Sequence, residues 1–341
     1  MSQCQTSPYQ MSRDEMNTDD VLGKIKDLID GSKTIAIISH FNPDPDAYGS
    51  ICGLMLGLRS YNKELDISCY NQDGIKEEYH YIPAIKEVLS DFSNEYNPDL
   101  VIICDCGDKS RIGEAFLAKL NSYSCPTICI DHHVSNPLYG TENLVKVGAS
   151  STCEIVYNIL DFLNVKISEE IALALLSGIV GDTGGFRYRS TSAQTLRVAS
   201  VLVDAGASLS LITEQMYGSV AMSTIRLESF ALQNLQLLKE GRIAGVVITD
   251  EHYELNGATS DDGEMLAEII RDIKGVRISY SIRRMDEIWK VSLRTSSPDI
   301  DLASVASSFG GGGHAAAAAF RFSQDIEDIL PVLQKKLSAL L

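Results

Sequence analysis

Short apolar runs alternate with longer stretches of helical spacing between Val21 and Ala205. This alternation is typical of a parallel sheet covered by helices. The predicted strands are residues 34–39, 65–70, 100–105 and 127–131. Ser168, followed by two glutamates, predicts the capped start of a helix that runs through Val180. We therefore expect an α/β domain at residues 19–205.

A second, smaller α/β domain is predicted at residues 240–341. Its pattern indicates a strand at 243–249, a helix at 263–273, a hairpin formed by 277–284 and 288–295, and a closing helix at 326–341. Residues 206–239 show helical spacing without a strand signal, so we expect a helical connector there. Residues 1–18 are polar, lack an apolar signal-peptide core and are predicted to form a mobile tail.

Composition narrows the class of protein. The chain has 341 residues, of which 45% are hydrophobic and 22% charged, an ordinary globular balance with room for two cores. Its net charge of −17 argues against broad binding to long duplex nucleic acid, which needs many cationic contacts to phosphate. A small anionic substrate remains compatible with this charge if divalent cations neutralise local carboxylates. No segment approaches the roughly 18 apolar residues of a membrane span, so we expect no membrane association and a cytoplasmic location.

The eight cysteines do not form a metal or disulfide pattern. None of them belongs to a CxxC pair, and several lie in apolar runs. Strand alternation would point Cys104 and Cys106 away from Asp105. We interpret the cysteines as reduced thiols that pack in the core.

Four of the six histidines fall in three short segments, each at the end of an apolar run. An α/β enzyme gathers its ligands at the carboxyl ends of its strands, so this placement suggests one shared site. The segments are His40-Phe41-Asn42-Pro43-Asp44-Pro45-Asp46, Asp131-His132-His133 and Gly310-Gly311-Gly312-Gly313-His314.

The first segment supplies one imidazole, His40, and two carboxylates, Asp44 and Asp46, before a helix that starts near Ala47. Mixed nitrogen and oxygen donors suit Mn²⁺ or Mg²⁺ better than a metal that prefers thiolates. An equally ordinary interpretation is that both aspartates form turns and cap the helix, as such residues often do beside proline. The segment alone leaves both interpretations open.

Further candidate ligands follow later strands and one helix. Asp105 ends the third predicted strand, although a lone aspartate there is more often a cap or a loop anchor. Adjacent His132 and His133 point in different directions, so at most one binds the same metal directly and the other handles a proton or substrate. Asp182 follows the predicted helix. Together these residues are sufficient for two ions about 3.5 to 4 Å apart.

The glycine run has a physical rationale of its own. Successive unhindered N–H groups can close around phosphate oxygens, with the His314 imidazole beside them. A flexible linker is the alternative, which the strand-rich surroundings disfavour. Arg294 lies on the preceding predicted strand, and its guanidinium suits a terminal phosphate, whereas its alternative is a solvated strand charge.

These motifs, in this order and spacing from about residue 33 to 322, resemble the DHH phosphoesterase superfamily with its DHH-associated C-terminal domain. The resemblance implies two Mn²⁺ ions, with Mg²⁺ or another divalent cation as the alternative. It implies that Asp105 bridges the ions, that Asp131 orients a histidine and that His133 lies beside the scissile phosphate. The implied ligands of one ion are His40 and Asp44, and those of the other are Asp46, His132 and Asp182.

The resemblance also implies a function. The resemblance is strongest to the branch of bacterial oligoribonucleases that also dephosphorylate 3′-phosphoadenosine 5′-phosphate. It implies a substrate cleft between the domains, and the expected substrate-binding residues are Arg294, Gly311, Gly312, Gly313 and His314. The family usually has a glycine near position 319, where this chain has Ala319. The expected substrate is short single-stranded RNA or a nucleotide.

Three other functions stay open. One is a phosphodiesterase for cyclic or linear dinucleotides, the second is a phosphatase restricted to 3′-phosphoadenosine 5′-phosphate, and the third is a non-catalytic nucleotide-binding protein on the same fold. An intact ligand set disfavours the last. The sequence leaves open whether the protein forms a homodimer.

Overall fold

The computed structural model describes residues 8–91, 97–218 and 220–341, with residues 8–17 described by their backbone alone. The chain divides into two compact units at residues 219 and 220. Each unit has its own sheet.

The first unit is an alternation of strands and helices that begins with a long helix. Its strands are β1 Thr34–Ile38, β2 Asp66–Tyr70, β3 Leu100–Cys104, β4 Thr127–Asp131 and β5 Glu142–Val145. Its helices are α1 Pro8–Asp30, α2 Pro45–Tyr61, α3 Glu114–Ser122, α4 Thr152–Phe162, α5 Glu169–Asp182, α6 Ala193–Asp204 and α7 Leu209–Thr213. Short 3₁₀ turns occupy Glu77–Tyr79, Ile85–Glu87 and Lys109–Ile112, and a π-helical turn occupies Glu214–Gly218.

All five strands of the first sheet are parallel, in the order β2-β1-β3-β4-β5. Parallel strands that are covered on both faces are apolar, as β1 and β3 are, whereas the edge strands β2 and β5 carry polar residues. On one face, α2, α4 and α5 pack around residues such as Ile37 and Ile102. On the other, Phe116 and Leu120 of α3 pack against Ile103. The carboxyl ends of β1, β3 and β4 therefore meet at one edge, where the candidate ligands follow them.

The second unit is built around a mixed sheet. Its strands are β6 Gln236–Leu238, β7 Ile243–Ile248, β8 Ile278–Met285, β9 Ile288–Thr295, β10 Gly312–His314 and β11 Ala317–Phe322. Its helices are α8 Met222–Gln233, α9 Asp250–Asn256, α10 Leu266–Arg271, α11 Leu302–Ser307 and α12 Ile326–Ser338, with a 3₁₀ turn at Asp261–Gly263.

The strand order of the second sheet is β10-β11-β9-β8-β7-β6, and only β7 and β8 pair in parallel. One face is apolar and is covered by α11 and α12. On the opposite face, α8, α9 and α10 form a second core with β7.

The predicted α/β class is confirmed, and the four strands predicted in the first domain occur within one residue of their expected bounds. The structure corrects the helical connector predicted at residues 206–239. That stretch contains β6, which pairs with β7, and α8, which packs in the second unit. A strand of three residues is too short to produce a recognisable period-two pattern, which explains the difference.

The structure also corrects the tail predicted at residues 1–18. Residues 1–7 lie outside the described residues, but helix α1 already begins at Pro8. The helix is held by its carboxyl half, where Leu22, Ile25 and Ile29 are buried in the main core. A polar amino-terminal half can extend a helix whose packing lies further along the chain.

Among the described residues, no single helix is long and apolar enough to cross a membrane. The pair Ala193–Asp204 and Leu209–Gly218, bent by 113°, meets the length and composition criteria when its two parts are taken together. The seven described cysteines are free, and six of them are buried, whereas Cys4 lies outside the described residues.

Candidate metal centre

The loop after β1 carries the first candidate ligands into the start of α2. Asp44 is the N-cap of α2, and its Oδ1 accepts the N–H groups of Asp46 and Ala47 at 3.0 Å each. Pro45 occupies the first turn, where its missing N–H costs nothing. The capping role considered from the sequence is therefore real. Asp46 lies in the first turn of α2, and its side chain is fully buried.

Asp105 lies between two imidazoles. It follows β3 with a left-handed backbone (φ 56°), a conformation that aspartate tolerates better than most residues. Its Oδ2 lies 3.4 Å from His40 Nε2, and its Oδ1 lies 3.5 Å from His132 Nε2. Because its two oxygens face different histidines, this carboxylate can contact two ions.

His132 and Asp182 complete the opposite side. The Nε2 atom of His132 lies 3.1 Å from Asp182 Oδ2 and 4.0 Å from Asp46 Oδ2. Asp182 is the last residue of α5, rather than lying just beyond the helix as predicted. The helix therefore delivers this carboxylate directly to the sheet edge.

The candidate ligands form two groups, each with one donor atom per residue within 4.8 Å of the others. One group is His40, Asp44 and Asp105, and the other is Asp46, His132 and Asp182. Imidazole nitrogens and carboxylate oxygens are the donors that borderline and hard divalent cations take. The donor set therefore fits a divalent metal centre. Asp105 belongs to the first group and also lies 3.5 Å from His132 of the second.

The burial of Asp46 is offset by the start of α4. Its Oδ2 accepts the N–H of Thr152 at 2.7 Å, and its Oδ1 accepts the N–H of Cys153 at 2.9 Å. A helix N-terminus favours an anion through unsatisfied N–H groups and the helix dipole. The hydroxyl of Thr152 also donates to Asp105 Oδ1 at 3.1 Å. One helix end thus positions a carboxylate from each ligand group.

The α4 start is itself braced by a buried glutamate. Glu154 Oε2 accepts the Ser150 hydroxyl at 2.6 Å and the Thr195 hydroxyl at 2.8 Å. Ser151 caps the helix by accepting the Glu154 N–H at 3.1 Å. These residues were not predicted, although Ser151 with Glu154 three positions later is a capping signature that could have marked the helix start.

His133 has a different environment from His132. Its Nδ1 lies 2.7 Å from Asp131 Oδ1, and Asn136 Nδ2 donates to Asp131 Oδ2 at 2.6 Å. Asp131 is fully buried, and each of its carboxylate oxygens has a hydrogen-bond partner. This arrangement places the Nδ1 proton of His133 against Asp131 and fixes the ring orientation.

The pKa directions reflect crowded negative charge. Burial opposes protonation of His132, but hydrogen bonds to Asp105 and Asp182 outweigh it and raise the pKa of His132 to about 12. Burial raises the pKa of Asp182 to about 6 and raises that of Asp46 well above its usual range. Burial also acts to raise the pKa of Asp105, but its histidine partners hold it well below that range. Within the described part of the chain, no lysine or arginine forms an ion pair with these aspartates. Such a site favours a bound cation.

The predicted substrate residues belong to the second unit. Arg294 Nε donates to Glu268 Oε1 at 2.6 Å, so this guanidinium is held by a carboxylate that was not predicted from the sequence. In the glycine run, a Cβ at Gly311 would meet the backbone of Ala319 and Phe320, and a Cβ at Gly313 would lie 2.5 Å from the Ala317 carbonyl oxygen. These two glycines therefore permit close approach of β10 to β11.

Comparisons with known proteins identify the family and its relatives. Residues 34–179 match the model of the DHH family, N-terminal domain, and residues 247–340 match the DHHA1 domain. A Bacillus subtilis protein named bifunctional oligoribonuclease and PAP phosphatase NrnA is 31% identical, over 84% of this chain and 88% of that protein. A protein of the same name from Thermus thermophilus is 30% identical, over 83% of this chain and 82% of that protein.

A solved structure gives the same result for the fold. It is the crystal structure of an exopolyphosphatase-related protein from Bacteroides fragilis, which superposes with a TM-score of 0.86 at 25% identity, covering 94% of this chain and 98% of that one. The similarity therefore extends over both units.

Substitution of Gly178 by alanine tests the packing behind Asp46. A Cβ at this position of α5 would lie 2.7 Å from Asp46 Oδ1 and would collide with the Cys153 sulfur. We expect Gly178→Ala to lower the metal-free melting temperature, since overpacking costs about 1–3 kcal/mol, and to at least halve the rise in melting temperature caused by Mn²⁺. Gly23→Ala is the matched control, because nothing lies within 4 Å of its Cβ. Equal Mn²⁺ effects in both variants would contradict the packing argument.

Substitution of Thr152 by valine tests the link between α4 and Asp105. Valine keeps the shape and the backbone N–H that binds Asp46 but removes the hydroxyl that donates to Asp105. A hydrogen bond to a charged group contributes about 1.5–3 kcal/mol, so we expect Mn²⁺ affinity, measured by calorimetry, to fall about tenfold. Thr152→Ser retains the hydroxyl and should restore the affinity. A valine variant with unchanged affinity would rule out this role.

Proposed function

The chain belongs to the DHH family of phosphoesterases, and we propose that it is a manganese-dependent hydrolase of short oligoribonucleotides that also dephosphorylates 3′-phosphoadenosine 5′-phosphate. The substrate part of the proposal is supported by the relatives that match most of the chain at about 30% identity and carry both activities in their names. The hydrolase class is supported by the ligand cluster.

The position of Asp105 is the observation that carries the proposal. One oxygen of this buried carboxylate lies 3.4 Å from His40 Nε2 and the other lies 3.5 Å from His132 Nε2. A purely structural aspartate at a strand end has no need of an imidazole on each oxygen. Two ions that shared this carboxylate would each take one of the imidazoles as a ligand. A pair of ions is the usual arrangement for in-line displacement at phosphorus.

In the proposed mechanism, His40, Asp44 and Asp105 would hold one divalent ion, and Asp46, His132 and Asp182 would hold the other, with Asp105 as a shared ligand. When bound, such ions lower the pKa of water and offset negative charge on the phosphate. The chain keeps its ligands in place through the N-terminus of α4, which binds the carboxylate of Asp46. Protein groups thus fix the geometry before substrate arrives.

His133 is proposed to contact the scissile phosphate and to donate a proton to the leaving oxygen. The Nδ1 atom of His133 lies 2.7 Å from Asp131 Oδ1. Because Nδ1 is engaged there, Nε2 is the ring nitrogen that can act on the substrate. General acid catalysis by a positioned histidine contributes about 10²–10⁴-fold. Asp131 acts through His133, as a positioning residue.

For substrate binding we propose Arg294, Gly311, Gly312, Gly313 and His314. The register places His314 opposite Ala317 and Ala317 opposite Arg294, so the imidazole and the guanidinium belong to one row across β10, β11 and β9. A cytoplasmic location stays a prediction from the sequence, and the formation of a homodimer stays open.

The function is tested with metal-stripped protein, incubated with and without Mn²⁺. The substrates are a 5′-labelled RNA ladder of two to about 24 nucleotides, 3′-phosphoadenosine 5′-phosphate and cyclic dinucleotides, in parallel. Mn²⁺-dependent loss of the shortest RNAs and release of phosphate from the bisphosphate are expected. Turnover of cyclic dinucleotides alone would favour a cyclic-dinucleotide phosphodiesterase, and nucleotide binding without any turnover would favour a binding protein.

Asp105→Asn is expected to lower kcat for RNA by at least about a thousandfold. Asparagine has the same shape and tolerates the left-handed backbone at this position, so the fold should be retained while a bridging charge is lost. Circular dichroism checks the fold, and metal analysis should give fewer ions per chain than the wild type. Asp161→Asn, an exposed aspartate on α4, is the control. Full activity of Asp105→Asn would refute the bridging role.

His133→Asn is expected to lower kcat about a hundredfold while the number of bound Mn²⁺ ions is unchanged. The reason is that His133 is assigned to substrate and proton transfer, whereas His132 is assigned to the metal. His132→Asn should therefore lose metal as well as activity. If His133→Asn also released an ion, its proposed role would be wrong and it would be counted among the ligands.

A further inference from the structure

The second sheet has a polar face that the proposed substrate residues do not account for. Strand register divides this face into three rows, each crossing from β8 through β9 to β11. Because side chains two residues apart on a strand lie on the same side, all three rows share one face. The first row is Ser279, Arg294 and Ala317, the second is Ser281, Ser292 and Ala319, and the third is Arg283, Lys290 and Arg321.

The third row places three cations side by side. Arg283 is directly opposite Lys290, and Lys290 is directly opposite Arg321. Like charges opposite each other across strands are destabilising, and the chain as a whole carries a net charge of −17. An acidic protein that concentrates three cations in one row has a local field suited to an anion.

Nearby carboxylates compensate this row poorly. Arg283 is only 1% exposed, donates to the Ser260 carbonyl oxygen and has no ion pair among the described residues. The nearest carboxylate to Lys290 is Glu264, at 4.0 Å. Burial, reinforced by the adjacent Arg283, lowers the pKa of Lys290. A buried cation without a counter-ion is costly, and an anion bound at the row would offset that cost.

The cations remain accessible on one side. The Lys290 side chain is 25% exposed, and Arg321 is exposed. Between this row and the Arg294 row, the floor of the face consists of small residues. They are Ser292, Ala319 and, opposite Ala319 on β10, Gly312, whose Cβ direction is open. Ser292 is buried, so the accessible part of this floor consists of Ala319 and Gly312.

The backbone spacing favours two separate anionic groups over a single phosphate as the ligand of both rows. Arg294 and Lys290 are four residues apart on β9, which corresponds to about 13 Å at the rise of an extended strand. Two phosphates of one extended strand that are more than one nucleotide step apart match that spacing. A single-stranded nucleic acid has this chemistry, with a base or ribose available for the small-residue floor.

We propose that Lys290 and Arg321, supported by the buried charge of Arg283, form a second phosphate subsite, which binds an internal phosphate of an oligonucleotide whose terminal phosphate is at Arg294. This proposal rests on the proposed function. It gives the chain a preference for oligonucleotides of about three or more residues over a dinucleotide. It also assigns Ala319 to the floor between two phosphate positions.

The test compares substrate lengths. The double variant Lys290→Gln/Arg321→Gln and the single variant Arg321→Gln are assayed with Mn²⁺ on RNA of two and of four nucleotides. We expect the double variant to lower the ratio of kcat/KM for the tetranucleotide to that for the dinucleotide about tenfold, through KM, with about threefold for the single variant. The dependence of tetranucleotide KM on salt should weaken, with the logarithmic slope smaller by about 1.

Lys335→Gln is the matched control. It removes one positive charge from an exposed position on α12, which covers the opposite face of the sheet. Its length ratio should equal that of the wild type. Because Arg321 is exposed, the single variant stays informative even if the double variant is unstable. Equal losses on both lengths, or no loss on either, would overturn the subsite.

Binding separates this proposal from the proposed function. Fluorescence anisotropy with a labelled tetranucleotide, in Ca²⁺ to suppress turnover, measures affinity whether or not the wild type hydrolyses RNA. If the wild type fails to hydrolyse RNA yet binds the tetranucleotide, and the double variant binds about tenfold more weakly, the subsite stands and the hydrolase proposal falls. If the wild type hydrolyses RNA and the variants bind the tetranucleotide with unchanged affinity, the subsite falls alone.

Discussion

The bond between the start of α4 and the carboxylate of Asp46 is the interaction on which the candidate site depends. Asp46 is fully buried, and an isolated carboxylate in that position would be protonated rather than available to a metal. Two N–H groups, from Thr152 and Cys153, replace the lost water. The Thr152 hydroxyl extends the same support to Asp105. The helix therefore holds both carboxylates in place, while burial still raises the pKa of Asp46, and a bound cation would favour its ionised form.

Helix packing makes this bond possible. The helices α2, α4 and α5 lie on one face of the parallel sheet, and Gly178 of α5 leaves room for both Asp46 and Cys153. A larger residue there would occupy the space of the carboxylate. The same packing brings the last residue of α5, Asp182, to within 3.1 Å of His132. The helices that bury the sheet also carry the ligands, so the packing of the core sets the positions of the ligands in this unit.

The sequence was sufficient for the parts of the fold with strong periodicity and for the ligands that directly follow apolar strands. His40, Asp105 and His132 each end or follow such a run, so their meeting at one sheet edge could be expected. The roles of Thr152 and Glu154 could not, because their contacts join segments about 40 or 100 residues apart. Short strands such as β6, β10 and β11 were also missed, since a pattern of three residues or a run of alanines carries no period. Their pairing comes from tertiary contacts.

The second unit shows how one sequence motif can serve two purposes. Gly311 and Gly313 are needed for close approach of β10 to β11, because a Cβ on either would collide with that strand. Gly312 points instead into open space, opposite Ala319. Gly311 and Gly313 thus allow β10 to pair closely as the edge strand, and Gly312 between them lies on the polar face of the sheet. Small residues there keep the face shallow between Arg294 and Lys290. An extended, multiply charged ligand fits such a shallow face better than a compact one, because its charges can reach both cations while its neutral parts lie on the floor between them.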